Sequence, residues 1–157
     1  MAEVSIDLDM VRVSNEDFLK KAGDCAPQLK ETLVHPVEIV DIRETDGVYP
    51  EVLHRDSVDN MKNYHMKKGD KLCLDFGDHQ VGYVTLKLAS VGSPQDAPAF
   101  LKLKFGEIAK EMTEKSEEYD GWISRGWIQE EWFHIDVLPA TLVLPRRYAF
   151  RYLEIET

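Results

Sequence analysis

From Lys71 onward the chain alternates. Leu72, Leu74 and Phe76 are separated by Cys73 and Asp75, Val84, Leu86 and Leu88 by Thr85 and Lys87, and Leu101, Leu103 and Phe105 by Lys102 and Lys104. Successive side chains of an extended strand point to opposite faces, so each run offers one apolar face to a core. Gly69-Asp70, Gly77-Asp78 and Gly92-Ser93-Pro94 read as the turns between the runs. Trp127 to Val137, Thr141 to Leu144 and Tyr148 to Glu156 then supply the closing strands. Six or seven short strands spaced by turns predict an all-β sandwich. Alternation alone leaves an immunoglobulin-like sandwich and a jelly roll both open.

The first third is patterned differently. Ser14-Asn15-Glu16-Asp17 reads as a helix start, with Ser14 as the cap and an acid three residues on. Phe18, Ala22 and Cys25 follow near helical spacing until Gly23 and Pro27 interrupt it, which predicts one or two helical turns between Asn15 and Leu33. Val37 to Ile42 has the β-branched content of a strand, and Asp46-Gly47 and the region of Pro50 read as turns. The stretch from Glu107 to Glu118 is dense in charge and reads as a loop between strands. No internal repeat, low-complexity tract or linker divides the chain. A single domain over residues 1–157 is expected, with 70–157 as its core and 1–69 as the less regular part.

Composition narrows the partners. The chain has 157 residues, 43% of them hydrophobic and 31% charged, which is the balance of a soluble globular domain. Its formal net charge of −10 repels phosphate backbones and anionic lipid, so neither nucleic acid nor a membrane surface is an expected partner. Met1 to Met10 lacks the basic start and continuous apolar run of a signal peptide, which fits residence in the cytoplasm. Cys25 and Cys73 are too few and too far apart for a disulfide framework or metal-ligand spacing. His35, His54, His65, His79 and His134 are scattered without a zinc pattern. No phosphate-cradling glycine loop or dinucleotide fingerprint is present, so no cofactor is expected.

A set of segments carries a resemblance. These are Asp75-Phe76-Gly77 with Gly82-Tyr83, Phe105-Gly106-Glu107, the run from Ser124-Arg125-Gly126-Trp127 to Glu131, and Leu144-Pro145-Arg146-Arg147-Tyr148 with the strand to Tyr152. Together, between about Lys71 and Glu156, they resemble the non-catalytic β-sandwich domain that precedes the catalytic barrel in bacterial α-L-rhamnosidases of glycoside hydrolase family 78. The resemblance implies a jelly roll of the galactose-binding type. It also implies a piece of a carbohydrate-active enzyme without the barrel that bears the catalytic carboxylates, hence no activity by itself and a catalytic glycosidase domain as a partner. Jelly rolls of this type often carry a structural calcium, but no calcium-loop spacing occurs here, and Asp75 and Asp78 read as turn-forming acids.

The residues themselves suggest where a sugar would bind. Tyr119, Trp122, Trp127, Trp132 and Phe133 lie within fifteen residues. Sugar rings stack their C–H faces on flat aromatic rings while polar groups take the hydroxyls. Trp122 follows the turn pair Asp120-Gly121 and has Arg125 three residues on, an arrangement suited to a platform for a rhamnose- or galactose-like sugar. Trp127 and Trp132 read rather as packing residues. Trp122, Arg125, Tyr119 and Glu107 are the candidate ligand-binding residues, Glu107 because it matches the acid of the family's Phe-Gly-Glu segment. Glu130 and Glu131 are adjacent on a strand and face oppositely, so they cannot converge on one glycosidic bond. Either Glu130 or Glu131 is expected to pair with an arginine of Arg146-Arg147. The expected function is an accessory carbohydrate-binding domain, and the rival is a scaffold that packs on the catalytic domain with no ligand of its own.

Overall fold

The computed structural model describes residues 15–92 and 95–157, so Ser14 and the Ser93-Pro94 turn lie outside the described residues. The chain divides into two compact units, Met1–Leu33 and Val34–Thr157. In the first, helix α1 (Glu16–Asp24) is capped by Asn15, whose side chain accepts from Phe18 N at 3.1 Å. That satisfies one of the free donors of the first turn. The helix stops before Pro27, as its sequence predicts, and buries none of its residues.

The second unit is the sandwich. Its strands are β1 (Glu38–Arg43), β2 (Glu51–Ser57), β3 (Lys71–Gly82), β4 (Thr85–Leu88), β5 (Ala99–Gly106), β6 (Gln129–Ile135), β7 (Ala140–Val143) and β8 (Tyr148–Glu156). Six form one antiparallel sheet in the order β2-β1-β3-β8-β5-β6, and β4 pairs with β7 in a second. The alternating leucines do what their spacing predicts. Leu72, Leu74, Leu101, Leu103, Phe105, Leu153 and Ile155 from the large sheet are buried in one cluster. Leu86, Leu88 and Leu142 of the small sheet close over it. Phe105 stacks on Tyr148 at 4.1 Å between ring centres, and Phe76 and Phe150 meet edge to face at 5.0 Å.

Two features depart from the sequence reading. Gly77-Asp78 makes no turn between strands. β3 runs on through it, and its pairing with β8 passes from Asp75 opposite Tyr152 to Gln80 opposite Phe150. Phe76 to His79 therefore bulge out against the single residue Arg151. Gly77 takes φ +77° there, a conformation that only glycine adopts freely, and a Cβ would sit 3.1 Å from Val37. Asp75 is likewise no exposed turn acid. It is buried, receives both arms of the Arg151 guanidinium at 2.9 and 2.8 Å, and accepts from Gly77 N at 2.7 Å. The bulge also reverses parity along β8, so Tyr148 and Phe150 share the core face with Leu153 and Ile155.

The second departure is in the charged stretch after β5. It contains a short helix, α2 (Ala109–Thr113), which buries Met112. Met112 joins Val40, Cys73 and Tyr152 on the face of the large sheet turned away from the core. A Cβ at Gly106 would come within 2.6 Å of the Met112 sulfur, so a larger residue there would have to displace the Met112 side chain. Cys73 is packed there as a small apolar residue, and burial pushes its thiol up to about 12, which makes it a poor nucleophile. Among the described residues no helix is long and apolar enough to cross a membrane.

Candidate functional site

The outward face of the large sheet is organised by register. Lys71 of β3 stands opposite Glu156 of β8, Glu156 opposite Lys102 of β5, and Lys102 opposite Trp132 of β6. The next row runs Cys73, Glu154, Lys104, Glu130. Opposite charges thus alternate across the strands, the pairing that stabilises neighbouring positions on a sheet. Lys71 Nζ lies 3.2 Å from Glu154 and 3.1 Å from Glu156, and Lys102 Nζ lies 3.3 Å from Glu130. Glu130 Oε2 accepts from Ser116 Oγ at 2.6 Å. Its side chain is 6% exposed.

At the β5–β6 end this face opens into a cleft of about 640 Å³. Lys102, Glu130 and Trp132 come from the sheet, Ser116 and Glu117 from the segment after α2, and Arg125 and Gly126 from a 3₁₀ turn, Arg125–Trp127. Ser124 caps that turn through Gly126 N at 3.3 Å. Arg125 Nε donates to the Tyr119 carbonyl at 3.0 Å. This bond fixes the guanidinium at the cleft and leaves its terminal nitrogens with donors to spare. Trp132 is 62% exposed, meets Phe100 edge to face at 5.6 Å and has Lys102 Nζ 5.5 Å from its ring. The cleft therefore offers an open indole, two cationic donors and a buried carboxylate in one place.

The four candidates from the sequence are not gathered together. Arg125 lines the cleft. Tyr119 supports it from behind, giving its carbonyl to Arg125 and its ring to Trp127 at 5.6 Å. Trp122 is 96% exposed and outside the lining. Glu107 follows the end of β5, faces His79 at 3.5 Å and is also outside the lining. Trp127 is half-buried in the 3₁₀ turn, whereas Trp132, read from sequence as a packing residue, is the aromatic at the cleft. Lys102, Ser116, Glu117 and Glu130 were not legible as cleft residues, because their convergence depends on which strands are neighbours.

The adjacent acids separate as strand parity requires. Glu130 faces the cleft side, while Glu131 accepts from Arg146 Nε at 2.9 Å and from Tyr148 OH at 3.0 Å. The expected arginine pair is thus Arg146 with Glu131. Burial, and then the Glu131 carboxylate, push the Tyr148 hydroxyl up to about 12, so it stays a neutral donor. No cluster of three or more metal-ligating side chains occurs among the described residues.

A family model, the glycosyl hydrolase family 78 alpha-rhamnosidase N-terminal domain, matches residues 36–157. Among solved structures, a rhamnosidase from Klebsiella oxytoca with rhamnose bound is similar to this chain at 37% identity and a TM-score of 0.79. The match covers 90% of this chain and 28% of that one, so the chain spans little more than a quarter of the relative. No curated protein matches the chain.

Proposed function

The chain belongs to the family of glycosyl hydrolase family 78 alpha-rhamnosidase N-terminal domains, and from that premise we propose that it is an accessory carbohydrate-binding domain of an α-L-rhamnosidase-like glycosidase. It has no hydrolytic activity of its own, and its partner is a catalytic glycosidase domain. A jelly-roll, galactose-binding-like arrangement is part of this proposal, supported by β3, β4 and β5 alternating between the two sheets.

The observation that carries sugar binding is the exposed indole of Trp132 in one cleft with Arg125. A rhamnose- or galactose-like ring lays its C–H face on Trp132, and the donors of Arg125 and Lys102 take hydroxyls. Tyr119 positions Arg125. Trp122 and Glu107 make no contact with a sugar held in the cleft. Hydrolysis would need two carboxylates flanking one bond. Glu130 is held by a serine and two lysines, and Glu131 lies on the opposite face.

The cleft is open and excludes little water, so each hydroxyl contact contributes little net free energy. The affinity for rhamnose or galactose is expected at about 0.1–10 mM, or roughly 3–5 kcal/mol. Titration followed by amide shifts at Lys102, Ser116 and Trp132 tests this, with Trp132→Ala abolishing the response. If no sugar moves these amides at tens of millimolar, the scaffold reading replaces this one.

A further inference from the structure

Lys104 does not line the cleft, yet it is a buried cation, at 5% exposure. An ammonium is costly to bury unless all its donors are met. Here two of its three donors are met by backbone carbonyls, and a nearby carboxylate offsets the charge. Nζ donates to the Met112 carbonyl at 3.2 Å and to the Glu114 carbonyl, and it lies 3.8 Å from Glu130. Met112 lies in the last turn of α2 and Glu114 caps its C-terminal end. The last carbonyls of a helix have no partner within it, and a cation there also opposes the negative end of its dipole. Two residues further on, Ser116 is fastened to Glu130. The segment from Met112 to Ser116 is therefore tied to the sheet by two side chains of adjacent strands that are register partners. Its continuation, Ser116 and Glu117, is a wall of the cleft.

We infer that Lys104 is a positioning residue: it latches the segment 112–117 against the sheet and so fixes the cleft wall, making ligand affinity depend on an ammonium that the ligand never touches. A methionine would fill the same space without burying a charge, but it could not bind two carbonyls of the segment. The charged groups around the ammonium are Glu130 on β6, Glu154 on β8, Lys102 beside it on β5, Lys71 on β3 and Glu111 on α2. Burial, more than the acids offset, holds Lys104 below the ordinary lysine range. The latch therefore loses its charge before exposed lysines lose theirs.

The affinity half of this inference rests on the cleft being the sugar site, while the latch itself does not. The experiment is amide hydrogen exchange on the purified chain and on Lys104→Met, with rhamnose titration of both. Exchange at residues 113–118 is expected to accelerate at least tenfold in the variant, with the amides of Leu153 and Ile155 unchanged, and rhamnose affinity to fall at least tenfold. Unchanged exchange at 113–118 overturns the latch. Faster exchange with unchanged affinity overturns the link to the cleft. Faster exchange with no rhamnose response even in the parent chain supports the latch and removes the sugar reading. Should Lys104→Met fail to fold, the parent chain decides. Its amides at 113–116 should shift with the same alkaline midpoint as the Lys104 side-chain signal, and a titration of Lys104 that leaves them still overturns the inference.

Discussion

The large sheet presents two faces built from the same strands, and they do different work. On the inner face Leu101, Leu103 and Phe105 of β5 lock into the small sheet. On the outer face the residues between them, Lys102 and Lys104, join rows of alternating charge. Apolar burial is non-directional and scales with area at about 25 cal/mol per Å². The outer face depends more on individual partners at individual distances; α2 covers part of it through Met112, and its β5–β6 end opens as the cleft. Apolar packing is thus concentrated on one face and directional charge pairing on the other, with strand parity as the partition.

The sharpest way to break this comparison is to substitute neighbours. Leu103 is 0% exposed, and Leu103→Ala removes buried methyl groups and leaves a cavity, a loss of about 3–4 kcal/mol by urea unfolding. Lys102→Ala, one position earlier, is expected to lose about 1 kcal/mol or less, because Glu130 keeps Lys104 and Ser116. Equal losses at the two positions would show that the outer face holds the fold as much as the core does.

Asp75 is the exception that sharpens it: an outer-face acid that is structural. Its side chain is 6% exposed and that of Arg151 is 39% exposed, so Asp75→Asn leaves a cation that water can still reach. The expected loss is about 2–3 kcal/mol, at the low end for breaking a buried pair. Burial alone would raise the Asp75 carboxyl. The Arg151 guanidinium and the Gly77 N–H outweigh it and hold it below the usual range. A carboxyl lowered by folding stabilises the fold fully above its unfolded value of about 4, and that contribution fades as pH falls through the lowered native value. Urea unfolding of the parent chain should therefore weaken below about pH 4, and Asp75→Asn should remove part of that slope. An unchanged slope would mean that other carboxylates govern acid stability.

The inner face was legible in the sequence because its signal is periodic and needs no knowledge of neighbours. Leu72, Leu74, Leu101 and Leu103 announce it by spacing alone. Other elements lacked such a signal. The strand Glu51–Ser57 is an edge strand with exposed residues on both faces, so it shows no alternation. The Gly77 bulge looks like a turn because both use a glycine at positive φ. α2 is only five residues long and announces itself by the single buried Met112. The pairing of Arg146 with Glu131 was readable from parity. The cleft was not, because Ser116, Arg125 and Trp132 meet only through the order β8-β5-β6, which one sequence does not encode visibly.

The smallest expected effects compare two tryptophans. Trp132 is held on one side by Phe100 and Lys102, and Trp132→Ala should reduce stability by about 1 kcal/mol at most. Trp122 is 96% exposed, and substitutions at such sites usually stay within about 0.5 kcal/mol. Stability therefore barely separates the two, and sugar binding should separate them completely. The Trp132 indole opens beside Arg125, whose Nε is anchored to Tyr119, whereas Trp122 stands in water outside the lining of that cleft. Stacking without hydroxyl partners is too weak to register at millimolar sugar, since the ring's hydroxyls would stay in bulk water. Trp122→Ala should leave the rhamnose titration unchanged, and Trp132→Ala should abolish it at unchanged fold. The reverse result would move the sugar to the 119–124 loop, and the outer face of the sheet would then be a charged surface with no part in recognition.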